Sequence, residues 1–379
     1  MTISRKSATL VIIAVAVTLC PSTPAFADKV RDEQWFVDYL DLAQAHRITQ
    51  GSGVSVAVVD TGISPHRDLS QNLRRGTDTS PGGDGTGRND ENGHGTRMAG
   101  LIAAHGHEAG NGAIGIAPKA SLIPVRAAGK KPNGLGIPAG IKWAATHDAD
   151  VINVSGSVAR SRELNEAVAE AVRSDAVVVA ASGNKSEDPS IANPAEMTDV
   201  LAVGAVGRDG NVADFSVTDP KVEICAPGVD MVTTDLENKY AKGRGTSQAT
   251  AIVSGAAALV RAKFPSLSAP EVIHRLTSTA DDNGPPGRDD ECGYGVLNIV
   301  KALTADVPPL DPSGTAAPAT TGTSTAGVSA PSGGGASTDA ALPKHSGSNL
   351  SLIAGIGAVV IAVGVVLAVL VRRRRRDAS

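Results

Sequence analysis

Val54-Ser55-Val56-Ala57-Val58-Val59-Asp60 is the stretch on which the fold turns. Its β-branched residues favour extended backbone. From Val56 to Val59 the run is apolar at every position rather than at every second one, so both faces of the strand must be covered. That calls for a parallel sheet between layers of helix. Similar runs recur at Ser121–Val125, Asp150–Ser155, Ala176–Ala181 and Val200–Val206. Alanine-rich stretches of helical period lie between and after them, at Gly95–Ala104, Ile137–Thr146, Leu164–Arg173, Ser247–Lys263 and Ala269–Leu276. The expected fold is α/β, a doubly wound, mostly parallel sheet flanked by helices. In such a sheet chemistry gathers at the carboxyl ends of strands and the amino ends of helices.

Three residues stand at such ends. Asp60 closes the first strand in Val58-Val59-Asp60-Thr61-Gly62, His94 opens a helix in Asn92-Gly93-His94-Gly95-Thr96, and Ser247 opens another in Gly245-Thr246-Ser247-Gln248-Ala249. Each alone reads as a cap or turn residue. Together they supply a hydroxyl, an imidazole base and a carboxylate to fix its tautomer, the set that nucleophilic serine catalysis needs. Asn184, in Ser182-Gly183-Asn184 after the fourth strand, offers an amide donor for an oxyanion beside the Ser247 N–H.

The order Asp, His, Ser along the chain is that of subtilisin rather than of chymotrypsin or the α/β-hydrolases. Over about residues 35–304 the sequence resembles the subtilisin-like serine proteases, in the Asp60, His94 and Ser247 segments and in Ser182-Gly183-Asn184. The resemblance implies a serine endopeptidase acting on proteins or peptides, with Asp60, His94 and Ser247 catalytic and Asn184 in the oxyanion hole. It further implies substrate contacts at Ser155, Gly156, Ser157, Ser182 and Gly183. Three positions depart from the family pattern. Ser155-Gly156-Ser157 replaces the usual Ser-Leu-Gly, Gln248 stands where an apolar residue is usual, and Ala251 stands in place of proline.

The two ends of the chain carry topology. Residues 1–27 combine Arg5 and Lys6, an apolar run from Ala8 to Leu19 and Ala25-Phe26-Ala27, the pattern of a cleaved secretory signal. The apolar run is short for a membrane anchor, and bulky Leu19 before Cys20 argues against lipoprotein processing. Residues 28–304 are expected to form the catalytic domain, and 305–349, rich in Pro, Ser, Thr, Gly and Ala, a linker. Residues 350–371 carry no charge and would make about 33 Å of helix, enough for one transmembrane span. Arg372 to Arg376 follow in the tail 372–379, where a basic run beside a span reads as positive-inside. The expected location is a single-pass cell-membrane protein with its catalytic domain outside and its C-terminus in the cytoplasm.

The whole-chain charge of −4 is therefore a cancellation. Taking Arg5, Lys6 and Arg372 to Arg376 from the 35 basic residues, and Asp377 from the 39 acidic ones, leaves 28 against 38, a net −10. That balance excludes a nucleic-acid binder and suits a soluble exported domain. Of three cysteines, Cys225 and Cys292 remain after signal removal in an oxidising compartment, either bridged or as two separate thiols.

About seven residues separate Ala27 from Trp35, leaving no room for a propeptide. With Gln34-Trp35, Gly293-Tyr294-Gly295, the linker and the single C-terminal span, this resembles the mycosins, the subtilases of type VII secretion systems. That resemblance implies a secretion membrane complex as partner. A structural subunit with dispensable activity and a general surface protease are the rival readings. No cofactor and no metal site is expected. The Asp-, Asn- and Gly-rich loop Gly76–Gly93 offers oxygens for calcium but no ligand spacing, and a solvated loop is the plainer reading. His66, His105, His107, His147 and His274 are assigned no chemistry.

Overall fold

In the computed structural model of the protein the described residues are 29–310, except Asp84, Ala109, Lys131 and Pro132. The expected signal peptide, nearly all of the linker, the expected transmembrane segment and the tail lie outside the described residues. Among those described, no helix is long and apolar enough to cross a membrane.

The strands in chain order are β1 (Ser55–Asp60), β2 (Thr77–Asp78), β3 (His105–His107), β4 (Asn111–Ile114), β5 (Ser121–Arg126) and β6 (Val151–Val154). They continue with β7 (Val177–Ala181), β8 (Val200–Val206), β9 (Ile224–Pro227), β10 (Met231–Thr234) and β11 (Tyr240–Gly243). Seven of them form one parallel sheet in the order β2-β5-β1-β6-β7-β8-β9. The chain leaves β1, reaches β5 on one side and then returns to β6 on the other. This switch opens a crevice beyond the carboxyl ends of β1, β5 and β6, the place where open α/β sheets bind ligands.

Alternate residues of the buried strands feed two cores. Val56 and Val58 join Leu122, Val151, Val179 and Val203 on one face, whereas Ala57 and Val59 join Val125, Ile152, Val154 and Val178 on the other. The first face is covered by α4 (His94–Ala103), α7 (Thr246–Lys263) and α8 (Ala269–Ser278), the second by α5 (Ile137–Ala145) and α6 (Arg162–Arg173). From Thr246 to Arg261 every residue of α7 is buried except Ser247. A helix buried all round needs small residues, which explains its run of alanines.

Short helices α1 (Lys29–Glu33), α2 (Phe36–Tyr39) and α3 (Leu42–Ile48) lead into β1, and α9 (Ile299–Thr304) packs beside α3. Buried Gln34 secures the lead by donating to the carbonyls of Ile114 and Val232 and accepting from Ile114 N. Cys225 of β9 is bridged to Cys292, with their Cα atoms 5.0 Å apart. Of the two alternatives left open by the sequence, the disulfide is the one found.

Candidate active site

Asp60 is the last residue of β1 and is 7% exposed. Its Oδ1 accepts from Thr61 N at 2.7 Å, and the carboxylate faces His94 Nδ1 at 2.8 and 2.9 Å. A proton on Nδ1 donated to Asp60 leaves Nε2 as the basic nitrogen. Helix α4 can start this close to the β1 exit because position 95 is glycine. A Cβ there would lie 2.1 Å from the Gly62 carbonyl oxygen. Enclosure in the site works to lower the His94 pKa, but the charge of Asp60 and its hydrogen bond outweigh this and hold the imidazole above its ordinary value.

A second carboxylate locks the two segments together. Buried Asp90 accepts from Thr61 Oγ1, Asn92 N and Gly93 N on Oδ1, and from Thr96 N and Thr96 Oγ1 on Oδ2. It ties the strand end carrying Asp60 to the amino end of the helix carrying His94. In sequence Asp90 is one of several acidic residues in the loop Gly76–Gly93. The available sign was an Asp three residues before Gly93 at a helix start, a geometry that satisfies otherwise orphaned N–H groups.

Ser247 stands at the open end of α7. Its hydroxyl donates to the Ser155 carbonyl at 3.0 Å, and the Ser155 hydroxyl donates to the Ser247 carbonyl at 3.2 Å. No hydrogen bond joins Ser247 to His94 in this conformation, so a rotation of the serine side chain precedes any proton transfer to Nε2. Asn184 Oδ1 accepts from Thr246 N at 3.1 Å, which fixes the carboxamide plane and leaves Nδ2 for the cleft. The Ser247 N–H, in the first turn of α7, has no partner within its helix.

These groups share one cleft of about 590 Å³, lined by Asp60, His94, Asn184 and Ser247 together with Ser155, Gly156 and Ser157. Ala127, Ala128, Gly134 and Ile137 extend it along the end of β5. Arg97, one turn beyond His94, lines it also and is paired with Asp235 at 3.2 Å. Ser182 and Gly183 lie outside this lining. Ser182 is fully buried and donates to the Val217 carbonyl, while the Gly183 carbonyl accepts from Val217 N. They position Asn184 from behind and do not line the cleft.

Among the described residues no group of three or more His, Cys, Asp or Glu side chains is arranged to hold a metal. In the loop 76–93, Asp90 is surrounded by donors, and Asp78 accepts from Ser80 N and Ser80 Oγ and pairs with Arg126. His107 and His66 belong to a separate cluster around buried Asp68. Its carboxylate accepts from His107 Nδ1 at 2.6 Å, Ala113 N at 2.8 Å and Tyr240 Oη at 2.9 Å.

The model of the Subtilase family matches residues 51–295. Subtilisin BL of Lederbergia lenta is 42% identical over 272 residues, 71% of this chain and 97% of that protein. The crystal structure of MycP1 from Mycobacterium smegmatis superposes with a TM-score of 0.65 at 30% identity, covering 76% of this chain and 87% of that one. MycP1 is described in one further structure as an essential component of the type VII (ESX-1) secretion system, and in another with its N-terminal propeptide removed. MycP1 is thus described as having a propeptide, and the short lead before Trp35 is not what relates the two chains. A parallel sheet with its crevice at the strand ends, four motif segments meeting there and a family match across the domain place this chain in the subtilase family of serine endopeptidases.

Proposed function

We propose that the protein is a membrane-anchored, extracytoplasmic serine endopeptidase of the mycosin type, working beside a type VII secretion complex. Ser247 attacks the scissile carbonyl after turning from Ser155 to His94. His94 Nε2 takes its proton and returns it to the leaving amine, and Asp60 holds the imidazole tautomer and stabilises its cation. Asn184 Nδ2 and the Ser247 N–H receive the developing oxyanion. The observation that carries the reading is the Asp60–His94 pair at 2.8 Å opening on the same cleft as Ser247 and Asn184.

Residues 1–27 act as the export signal, 28–304 as the catalytic domain, 305–349 as a tether and 350–371 as the span. The apolar 22-residue stretch followed by five arginines supports this placement. The secretion role rests on the likeness to MycP1. The test is a cell carrying Ser247→Ala in place of the native protein. Loss of substrate cleavage with the protein still at the membrane supports the protease reading. Secretion intact in that cell but lost on deletion supports a scaffold instead, and degradation of added protein that falls on deletion supports a general surface protease.

A further inference from the structure

The chain between β1 and α4 carries Arg67, Arg74, Arg75 and Arg88, all exposed. Among the described residues none of the four is paired with a carboxylate, whereas Arg97, Arg126, Arg162, Arg173 and Arg261 each are. Two hollows in the surface collect them. Arg67, Leu73 and Arg88 line one of about 370 Å³, with Arg67 over the Tyr240 ring. Arg74 and Arg75 line the next, of about 340 Å³, with Ser55, Ile123 and the stacked rings of Trp143 and His147. Leu73 and Arg74 are successive residues, and Arg88 joins the two hollows by donating to the carbonyls of both, at 3.0 and 2.8 Å. Asp148 is the one carboxylate in either lining. Like charges gathered with so little counter-charge repel one another, a cost that a bound anion removes.

Leu73 pairs with Leu122 of β5, and Ser55 opens β1, so the arginine ridge follows the outer edge of the sheet near the amino ends of its strands. The catalytic crevice lies at the other end, about 20 Å of strand away. We propose that this ridge docks an extended acidic segment of a partner protein, its carboxylates meeting Arg67, Arg88, Arg74 and Arg75 in turn. A guanidinium presents paired donors that match the two oxygens of a carboxylate, and clusters of arginine are a general means of holding acidic motifs. A polypeptide fits better than a bilayer. The exposed large apolar side chains of the described residues, Tyr39, Leu135, Val172 and Tyr294, all lie outside the two hollows, so no apolar anchor for lipid stands here. An anionic bilayer would also face the rest of a domain of net negative charge, whereas a short segment meets only the charges within about 8 Å of it. Docked there, the partner leaves the catalytic crevice open to substrate.

The test uses the purified full chain in neutral detergent, with Ser247→Ala so that the probe is not cleaved. The probe is a fluorescent peptide of alternating Glu and Gly, its control a peptide of alternating Gln and Gly, and binding is read by anisotropy. Only the glutamate peptide is expected to bind, and more weakly as salt is raised. Arg74→Glu with Arg75→Glu should weaken it by at least about tenfold. Arg162→Glu with Arg173→Glu, the same change of net charge made on α6, should leave it unchanged. Equal binding of the two peptides, no binding of either, no loss in the ridge variant or an equal loss in both double variants overturns the inference. Phosphatidylglycerol vesicles held through Arg74 and Arg75 when the peptide is not would overturn it in favour of a lipid site.

Discussion

The hydroxyl of Ser247 rests on the main-chain carbonyl of Ser155 at 3.0 Å, while the hydroxyl of Ser155 returns a hydrogen bond to the carbonyl of Ser247 at 3.2 Å. This reciprocal pair joins the end of β6 to the start of α7. It belongs to a buried polar network, because Ser155 Oγ also accepts from Asn153 Nδ2, and Asn153 Oδ1 accepts from Ser254 Oγ of α7. The nucleophilic position is thus set by side chains on two elements that are 92 residues apart in sequence.

Replacing Ser155 by alanine removes a link in that network and leaves the Asn153 amide short of an acceptor. Stability is expected to fall by about 1–2 kcal/mol, read from urea unfolding. Because the Ser247 helix start loses a support, kcat should fall more than KM rises in peptide hydrolysis.

The His94 pKa lies above its ordinary value, and only neutral His94 can act as base. Activity should therefore rise with pH through that raised pKa. Asp60→Asn removes the charge responsible. The acid limb of the kcat/KM profile is expected to move to lower pH while kcat drops by roughly 10³–10⁴. The stability linked to His94 runs the other way. A raised folded pKa contributes stability below the unfolded value that is lost as pH rises through the folded one, so this contribution is largest where the base is least available.

Asp90→Ala should strip acceptors from Asn92 N, Gly93 N and Thr96 N at the start of α4. A stability loss of about 2–3 kcal/mol is expected. A kcat decrease of at least tenfold should accompany it, since the placement of His94 against Asp60 depends on this tie. Asp90→Asn, which keeps part of the acceptor set, should lie between the alanine variant and the native protein in both measurements.

The Cys225–Cys292 bridge spans a sequence separation of 67. Constraint of the unfolded chain over such a loop is worth about 4 kcal/mol on the chain-entropy account. Cys292→Ser should lower stability by up to that amount in denaturant titrations. The bridge sits at β9, away from the residues lining the cleft, so activity at low temperature should be little affected.

The parallel sheet could be read from sequence because Val56–Val59, Val177–Ala181 and Val200–Val206 are buried on both faces and show it in unbroken apolar runs. Asp60, His94, Asn184 and Ser247 could be read because each falls at or just beyond an element end, within two residues of a glycine. What escaped was short or locally polar. The hairpin of β3 and β4 is written in His, Gly and Asn, with Gly106 and Gly112 at positive φ, and carries no alternation of apolar residues. The hairpin of β10 and β11 is held by long-range ties such as Tyr240 to Asp68, which leave no periodic mark. Asp90 acquires its meaning only when segments distant in sequence meet. Ser182, just past the end of β7, is buried because the segment carrying Val217 packs over it and accepts a hydrogen bond from its hydroxyl.

The central claim is that Ser247 is the nucleophile activated through His94. Treating the purified protein with a fluorophosphonate and mapping the adduct by mass spectrometry tests it most directly. The account predicts a single modified residue, Ser247, with labelling abolished by Ser247→Ala and slowed by orders of magnitude in His94→Ala. Labelling at another serine, or peptide hydrolysis by Ser247→Ala at the native rate, would contradict it.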